Sequence, residues 1–158
     1  MPIKLTVLMS VHNGAEYLRE SIDSVLNQTY DKFEFLIIDD GSTDLSRKII
    51  ESYDDDRIKL LVNETNIGLI KSLNKGISES SGEYIARQDA DDICYPERFA
   101  REIEVLDRNP DILLVGTQLT LINDAGESVG VWRYPIEPDL VRWFLLFNSA
   151  VAHSSSMY

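Results

Sequence analysis

Only one cysteine, Cys94, and two histidines, His12 and His153, occur in the 158 residues of the chain. A single thiol excludes an internal disulfide framework and any cysteine-based zinc cluster. Two imidazoles are too few for a multi-histidine metal centre. Basic residues are also scarce: 15 Lys and Arg stand against 27 Asp and Glu, a formal net charge of −12. Nucleic-acid backbones are held mainly by clustered Lys and Arg, so this balance argues against a nucleic-acid partner, and equally against adsorption to an anionic membrane surface. No apolar run approaches the ~20 residues of a membrane span, and the first residues lack the charged-then-apolar layout of a signal peptide. The expected setting is therefore reducing and cytoplasmic, with attachment to the inner face of a membrane through parts outside this chain left open. Any anionic ligand would need positive charge from a source other than the net field.

What is present is an alternation. Residues 3–11 (IKLTVLMSV) form an apolar, β-branched run that ends at His12-Asn13-Gly14, a strand entering a turn. Tyr17, Leu18, Ile22, Val25 and Leu26 then recur at the spacing of one helical face. Residues 33–38 (FEFLII) read as a second strand, followed by Asp39-Asp40-Gly41 and a helix capped by Ser42, Thr43 or Asp44, with Leu45, Ile49, Ile50 and Tyr53 inward. Asp54–Asp56 reads as a solvated loop and 58–62 as a third strand. Next come a helix lined by Leu69, Ile70, Leu73 and Ile77, a strand over 83–88, and a helix opened by Pro96 that carries Phe99, Ile103 and Leu106 inward. A further strand is expected over 112–116. Beyond it, 117–122 and 129–134 should pair around Asn123–Gly126, and 140–147 reads as an apolar helix. Serial strand–helix units require crossovers, so the fold class is α/β: one domain with a mostly parallel, nucleotide-binding-like sheet and helices on both faces.

In open α/β sheets ligands bind beyond the carboxyl ends of the strands. Three polar clusters fall there: Ser10-Val11-His12-Asn13, Asp39-Asp40-Gly41-Ser42 and Asp89-Ala90-Asp91-Asp92. Carboxylates this close repel, and protons or cations must neutralise some of them. An oxygen-rich set without soft ligands favours Mg²⁺ or Mn²⁺, which take one or two protein carboxylates and complete their shell with phosphates and water. Each residue also has a plainer reading. The strand-end aspartates serve as turn or cap residues, and His12 as a turn residue. His153 divides between loop and acceptor site, Cys94 is packed and inert, and Trp132 and Trp143 are expected in the core rather than stacked on a sugar.

The ordered set VLMSVHNGAEYLRESIDSVLNQTYDKFEFLIIDDGSTD, NIGLIKSLNKGI, SSGEYIARQDADD and YPERF resembles the family 2 glycosyltransferases of the GT-A fold. The likeness runs from about Lys4 to the C-terminus. It implies transfer of a sugar, usually with inversion, from a nucleoside-diphosphate sugar of the UDP or GDP type to a saccharide or lipid-linked acceptor. By that likeness Ser10, Val11 and His12 lie along the nucleotide, Asp40 contacts the base, and Lys71 is a further donor contact. Asp91 matches the metal ligand for Mn²⁺ or Mg²⁺, Asp89 stands nearer the ribose or sugar and can share the metal, and Asp92 and His153 are supporting. The family's general base lies in a later segment, so residues 1–158 are expected to be the N-terminal, donor-binding portion of a longer catalytic domain, with no base assigned. Three alternatives stay open. They are a nucleotide-binding module without turnover, a receiver-type signalling domain, and a nucleotidyltransferase. The last is weakened by the lack of a basic, glycine-rich loop after the first strand.

Overall fold

The structure is a computed structural model that describes residues 3–158. Strands β1 (Leu5–Val11), β2 (Phe33–Asp39), β3 (Ile58–Val62) and β4 (Tyr84–Asp89) form a sheet of order β3-β2-β1-β4, parallel throughout. The two central strands, β1 and β2, are buried along almost their whole length, as continuous apolar runs covered on both faces must be. The connecting helices are α1 (Leu18–Leu26), α2 (Ser46–Glu51), α3 (Leu69–Glu79) and, after β4, α4 (Arg98–Arg108). On one face Leu5, Val7, Met9 and Val11, with Phe33, Phe35 and Ile37, pack against Leu18, Ile22 and Val25 of α1, Ile50 of α2, and Phe99, Ile103 and Leu106 of α4. The other face is narrower: Leu8, Leu36 and Ile38 meet Leu61, Ile85 and Leu73 of α3.

Two helices sit differently from their apolar pattern. In α2 the inward residues are Ser46 and Ile50, and Leu45 is exposed. Asp44 supports the start of this helix by accepting the Ser46 N–H at 2.8 Å. In α3 the buried residues are Ser72 and Gly76, whereas Leu69, Ile70 and Ile77 are exposed and only Leu73 reaches the core. The reason is distance. A Cβ on Gly76 would lie 2.3 Å from Leu8 Cδ1 and 2.9 Å from Ile38 Cδ1, so small residues let α3 approach a sheet face already filled by large side chains. Gly76→Val should therefore cost about 1–3 kcal/mol by overpacking, although valine is the better helix former. A urea-unfolding midpoint equal to wild type would refute this packing.

The remaining strands are antiparallel: β5 (Leu119–Ile122) pairs with β6 (Ser128–Trp132) across a turn in which Asn123 Oδ1 accepts the Ala125 and Glu127 N–H groups. The apolar segment 112–116 is not a strand. It contributes one isolated antiparallel bridge, Val115 to Met157, because its available partner is the short chain segment at 156–158, which mainly edges β4. Pro96 precedes α4 rather than opening it, and its carbonyl accepts the Thr29 N–H at 2.8 Å. Helix α5 (Pro138–Phe144) buries none of its residues. Trp132 and Trp143 are 52% and 61% exposed and belong to no core cluster, contrary to the expectation of burial. Among the described residues no helix is long and apolar enough to cross a membrane.

Candidate functional site

The sheet register brings the three polar clusters together. Val11 is opposite Asp39, and Ser10 lies between Ile38 on one side and Asp89 on the other. The ends of β1, β2 and β4 are thus adjacent, and the loops leaving them are laced to one another. Asn13 adopts the left-handed conformation, φ 55°. Its Oδ1 accepts the Thr43 N–H at 2.8 Å, and its own N–H donates to Ser42 Oγ at 3.1 Å. Gly14 N–H donates to Ser46 Oγ and Ala15 N–H to Asp44 Oδ2, both at 3.0 Å. Ser10 is half-buried and Val11 buried, whereas His12 is exposed. The His12 ring sits with Nδ1 2.9 Å from the Asp40 carbonyl oxygen. A carbonyl only accepts, so Nδ1 carries the proton and Nε2 the lone pair, which faces Asn13 Nδ2 at 3.3 Å.

Both members of the acidic pair after β2 have structural partners. Asp39, 1% exposed, accepts the Ser42 N–H at 3.0 Å and shapes the turn into α2. Asp40, 2% exposed, reaches across to the β3–α3 loop. Its Oδ1 accepts Asn63 Nδ2 and the Ile67 N–H, and its Oδ2 the Gly68 N–H, each at 2.9 Å. Burial pushes this carboxyl up, but the hydrogen bonds from Ile67, Asn63, Ser72 and Gly68 outweigh it and hold Asp40 below the ordinary range. It stays ionised, an acceptor only. Gly41 lets the loop come close: at φ 68°, a Cβ there would lie 2.5 Å from the Thr65 carbonyl carbon. Lys71, in the first turn of α3, is exposed, and no hydrogen bond joins it to the other candidates among the described residues.

The acids after β4 fan outward. Asp89 Oδ1 accepts Arg87 Nη2 at 2.8 Å. Asp91 is exposed and lines a cleft of about 240 Å³ with Tyr17 and Glu20 of the α1 region and Ile122, Asn123 and Asp124 of the β5–β6 hairpin. The charges of Glu16, Asp124 and Asp91 contribute to raising the Tyr17 hydroxyl above its usual range, a sign of how negative this cleft is. Asp92 meets Ser154. Its carboxyl is raised, first by desolvation and then by the charges of Asp89 and Asp91, against the opposing Ser154 hydrogen bond and Arg98.

Among the described residues no three His, Cys, Asp or Glu side chains are grouped to hold a metal ion. The fit to a divalent cation is therefore to one that takes one or two carboxylates here and its remaining oxygens from a ligand. Desolvation is the main cause of the raised Asp92 carboxyl, and the smaller contribution of the Asp89 and Asp91 charges is the repulsion such a cation would lower.

Two supports lay outside the expected set. Gln88, 1% exposed, fixes the acidic loop from below, its Nε2 donating to the Asp92 carbonyl at 2.7 Å while its Oε1 accepts Arg98 Nη1 at 2.8 Å. Arg87 links Asp89 to His153, whose Nδ1 lies 2.6 Å from Arg87 Nη1. Strand alternation, which sets Arg87 and Asp89 on one side, was the signal that could have found it. Cys94 is buried, and its thiol is pushed up chiefly by desolvation, as an inert packed cysteine should be.

The sequence model of "Glycosyl transferase family 2" matches residues 6–154. The chain belongs to glycosyl transferase family 2. An uncharacterized glycosyltransferase of Haemophilus influenzae is 34% identical over 97% of this chain and 50% of its own length. The O-antigen biosynthesis glycosyltransferase WbnJ of Escherichia coli is 34% identical over 98% of this chain and 61% of its own. The chain thus spans about half the length of the curated relatives it matches. Among solved structures, Staphylococcus aureus TarS 1–349 in complex with UDP-GlcNAc superposes with a TM-score of 0.65 at 26% identity, covering 80% of this chain and 37% of that one. A mannosyltransferase from Pyrobaculum calidifontis in complex with GDP-Man and Mn²⁺, 24% identical with a TM-score of 0.61 over 76% of this chain and 35% of that one, supports the fold alone. The parallel sheet β3-β2-β1-β4 with its flanking helices is accordingly the family 2, GT-A-type arrangement, and the expected membership and fold class both hold.

Proposed function

We propose that residues 1–158 are the donor-binding portion of a glycosyltransferase that moves a sugar from a nucleoside-diphosphate sugar, of the UDP or GDP type, to an acceptor hydroxyl with inversion. The observation that carries this reading is the register that sets Ser10, Asp39 and Asp89 at adjacent strand ends, with an ionised Asp40 behind them. Ser10, Val11 and His12 would line the nucleotide, and Asp40 would accept from the base through the one Oδ2 lone pair its loop contacts leave free. Lys71 stands in the first turn of α3 as a flexible cation for the donor. The acceptor is a saccharide or a lipid-linked saccharide, and no general base is assigned to this chain. On this reading the reaction takes place in the cytoplasm, with attachment to the inner face of a membrane through parts outside this chain left open.

Asp91, exposed in its cleft, is assigned to a divalent cation, Mn²⁺ or Mg²⁺, with Asp89 sharing it and Asp92 in support. Such a cation, when bound, stabilises negative charge on the departing diphosphate. The chain's own task is to present carboxylates against that diphosphate, since its net charge of −12 would otherwise repel the donor. A receiver-type domain fits less well, because the acidic pair here follows β2 rather than β1.

Titration calorimetry with UDP and GDP, with and without Mn²⁺, tests the reading. Mn²⁺ should strengthen binding of one of them. No binding of either in Mn²⁺ would overturn the assignment. Asp91→Ala should abolish the Mn²⁺ dependence and leave the unfolding free energy within about 0.5 kcal/mol of wild type, as for an exposed residue. An unchanged metal-dependent affinity would remove Asp91 from the site.

A further inference from the structure

Arg87 is the one arginine of β4, and its side chain is 11% exposed. Four of its groups are engaged at once. Its N–H donates to the Ser156 carbonyl and its carbonyl accepts Arg98 Nη2, both at 2.8 Å, so the backbone is fixed from two sides. The guanidinium fork is divided: Nη2 donates to Asp89 Oδ1 at 2.8 Å and Nη1 to His153 Nδ1 at 2.6 Å. The Nε–H is left buried without a partner. A native interior seldom leaves such a group unpaired, and here the cost is borne so that the fork can span two side chains from different segments.

The chemistry of that second contact is decisive. A guanidinium has five N–H donors and no acceptor. His153 Nδ1 must therefore carry the lone pair, and the proton must sit on Nε2. His12 is held the other way round, with its proton on Nδ1, because its partner is a carbonyl. The two histidines at this end of the sheet thus present opposite edges, His12 an acceptor Nε2 and His153 a donor Nε2–H. His153 is exposed, opens the 3-10 turn His153–Ser155, and precedes Ser154, which meets Asp92. Its ring accordingly stands beside the acids that leave β4, and it does not line the Asp91 cleft.

We infer that Arg87 is a positioning residue that orients Asp89 and sets the tautomer of His153, so that His153 Nε2–H donates a hydrogen bond to the diphosphate of a nucleotide ligand. This inference rests on the donor-binding reading of the site. It gives the acidic end of the sheet a neutral donor for phosphate oxygen in addition to any cation. Asp89, compensated by Arg87, then repels that phosphate less than a free carboxylate would.

The full chain is titrated with UDP and GDP in Mn²⁺, and with the matching nucleosides, uridine and guanosine. His153→Ala should weaken the diphosphate that wild type binds by roughly tenfold, the worth of one hydrogen bond to a charged group, and leave nucleoside binding unchanged. His153→Gln, whose amide N–H can replace Nε2–H, should restore most of the loss. Arg87→Lys keeps the charge but cannot span both partners, and should lose at least as much as His153→Ala. In the Arg87→Lys background, His153→Ala should then cost little more. A merely structural role would weaken diphosphate and nucleoside alike and would not respond to glutamine. Wild-type affinity in His153→Ala, an exposed site whose folding is not in question, overturns the inference while the donor-binding reading stands. Failure of wild type to bind either diphosphate overturns both.

Discussion

Glu34→Ala is expected to cost the fold about 3 kcal/mol and to flatten the acid limb of its stability curve. Glu34 lies near the start of the central strand β2, at the end of the sheet away from the candidate site, and is 2% exposed. Its Oε1 accepts Thr6 Oγ1 and the Ser81 N–H, and its Oε2 accepts Lys59 Nζ, all at 2.6 Å. Thr6 Oγ1 in turn accepts the Gly82 N–H at 2.9 Å, so one carboxylate ties β1, β3 and the α3–β4 turn together. Hydrogen bonds to an ionised group contribute about 1.5–3 kcal/mol each, and removing the acceptor strands buried donors. Lys59 is half exposed and can be rehydrated, which keeps the total near the lower end of what breaking a buried pair costs.

The same contacts give the effect its sign with pH. Burial raises the Glu34 carboxyl, but the bonds from Lys59, Thr6 and Ser81 outweigh it and bring the pKa down from 4.5 to about 2. A folded pKa below the unfolded one contributes stability that is fully present above 4.5 and is lost as pH falls through about 2, again about 3 kcal/mol. Glu102 works in the opposite sense at higher pH. Desolvation, only partly offset by Arg98, lifts it to about 7, so its contribution declines as pH rises from 4.5 through 7. Asp40, Asp44, Asp55 and Asp107 are lowered as well, so it is the difference between wild type and Glu34→Ala, followed by chemical denaturation between pH 2 and 4.5, that isolates Glu34. Both proteins should lose stability on acidification through these other carboxyls, but Glu34→Ala should start lower and fall less, so that the gap of about 3 kcal/mol closes towards pH 2. Parallel curves for the two proteins would show that Glu34 is not the group titrating.

The sheet was legible because its two central strands carry apolar runs buried on both faces, each closed by a Gly- or Asp-bearing turn. The convergence of Ser10, Asp40 and Asp89 followed from topology, since parallel strands place all their carboxyl ends on one side. Two kinds of feature were not legible. Helix α3 contradicts its own apolar periodicity, because Gly76 and Ser72 pay no hydrophobic tribute in a composition pattern yet determine how near the helix comes to Leu8 and Ile38. Segment 112–116 has strand composition without a strand's neighbour, and composition cannot report whether a partner exists. At the site, the doubled aspartate was visible but not its division of labour. Asp39 serves its own turn, whereas Asp40 serves a loop some 27 residues onward, a pairing set by the β2–β3 register. Arg87 was hidden for a related reason: its partner His153 is 66 residues away.

That division of labour makes Asp40 the residue where stability and binding should fail together. Asp40→Ala is expected to lower stability by about 2–3 kcal/mol and to weaken nucleoside-diphosphate binding at least roughly tenfold. Alanine leaves the Asn63 amide and the Ile67 and Gly68 N–H groups without their acceptor. Asn63, 7% exposed, cannot turn to water, whereas Ile67 and Gly68 partly can, which bounds the cost. The loop they anchor leads into α3 and carries Lys71 with it, so its release displaces that cation from the strand ends. Asp40→Asn should fall between the two proteins. Its oxygen can still accept Asn63 and Ile67, but its amide would direct N–H at the N–H of Gly68, a pair that repels. Asn63→Ala separates clamp from contact: it removes the bond to Asp40 together with the Asn63 bonds to Ser72 and Lys75 but keeps the Asp40 carboxylate intact, so it should lower the melting temperature while costing less in affinity than Asp40→Asn. Melting of Asp40→Ala at the wild-type temperature would refute the clamp, and undiminished affinity in Asp40→Asn would take Asp40 out of contact with the nucleotide.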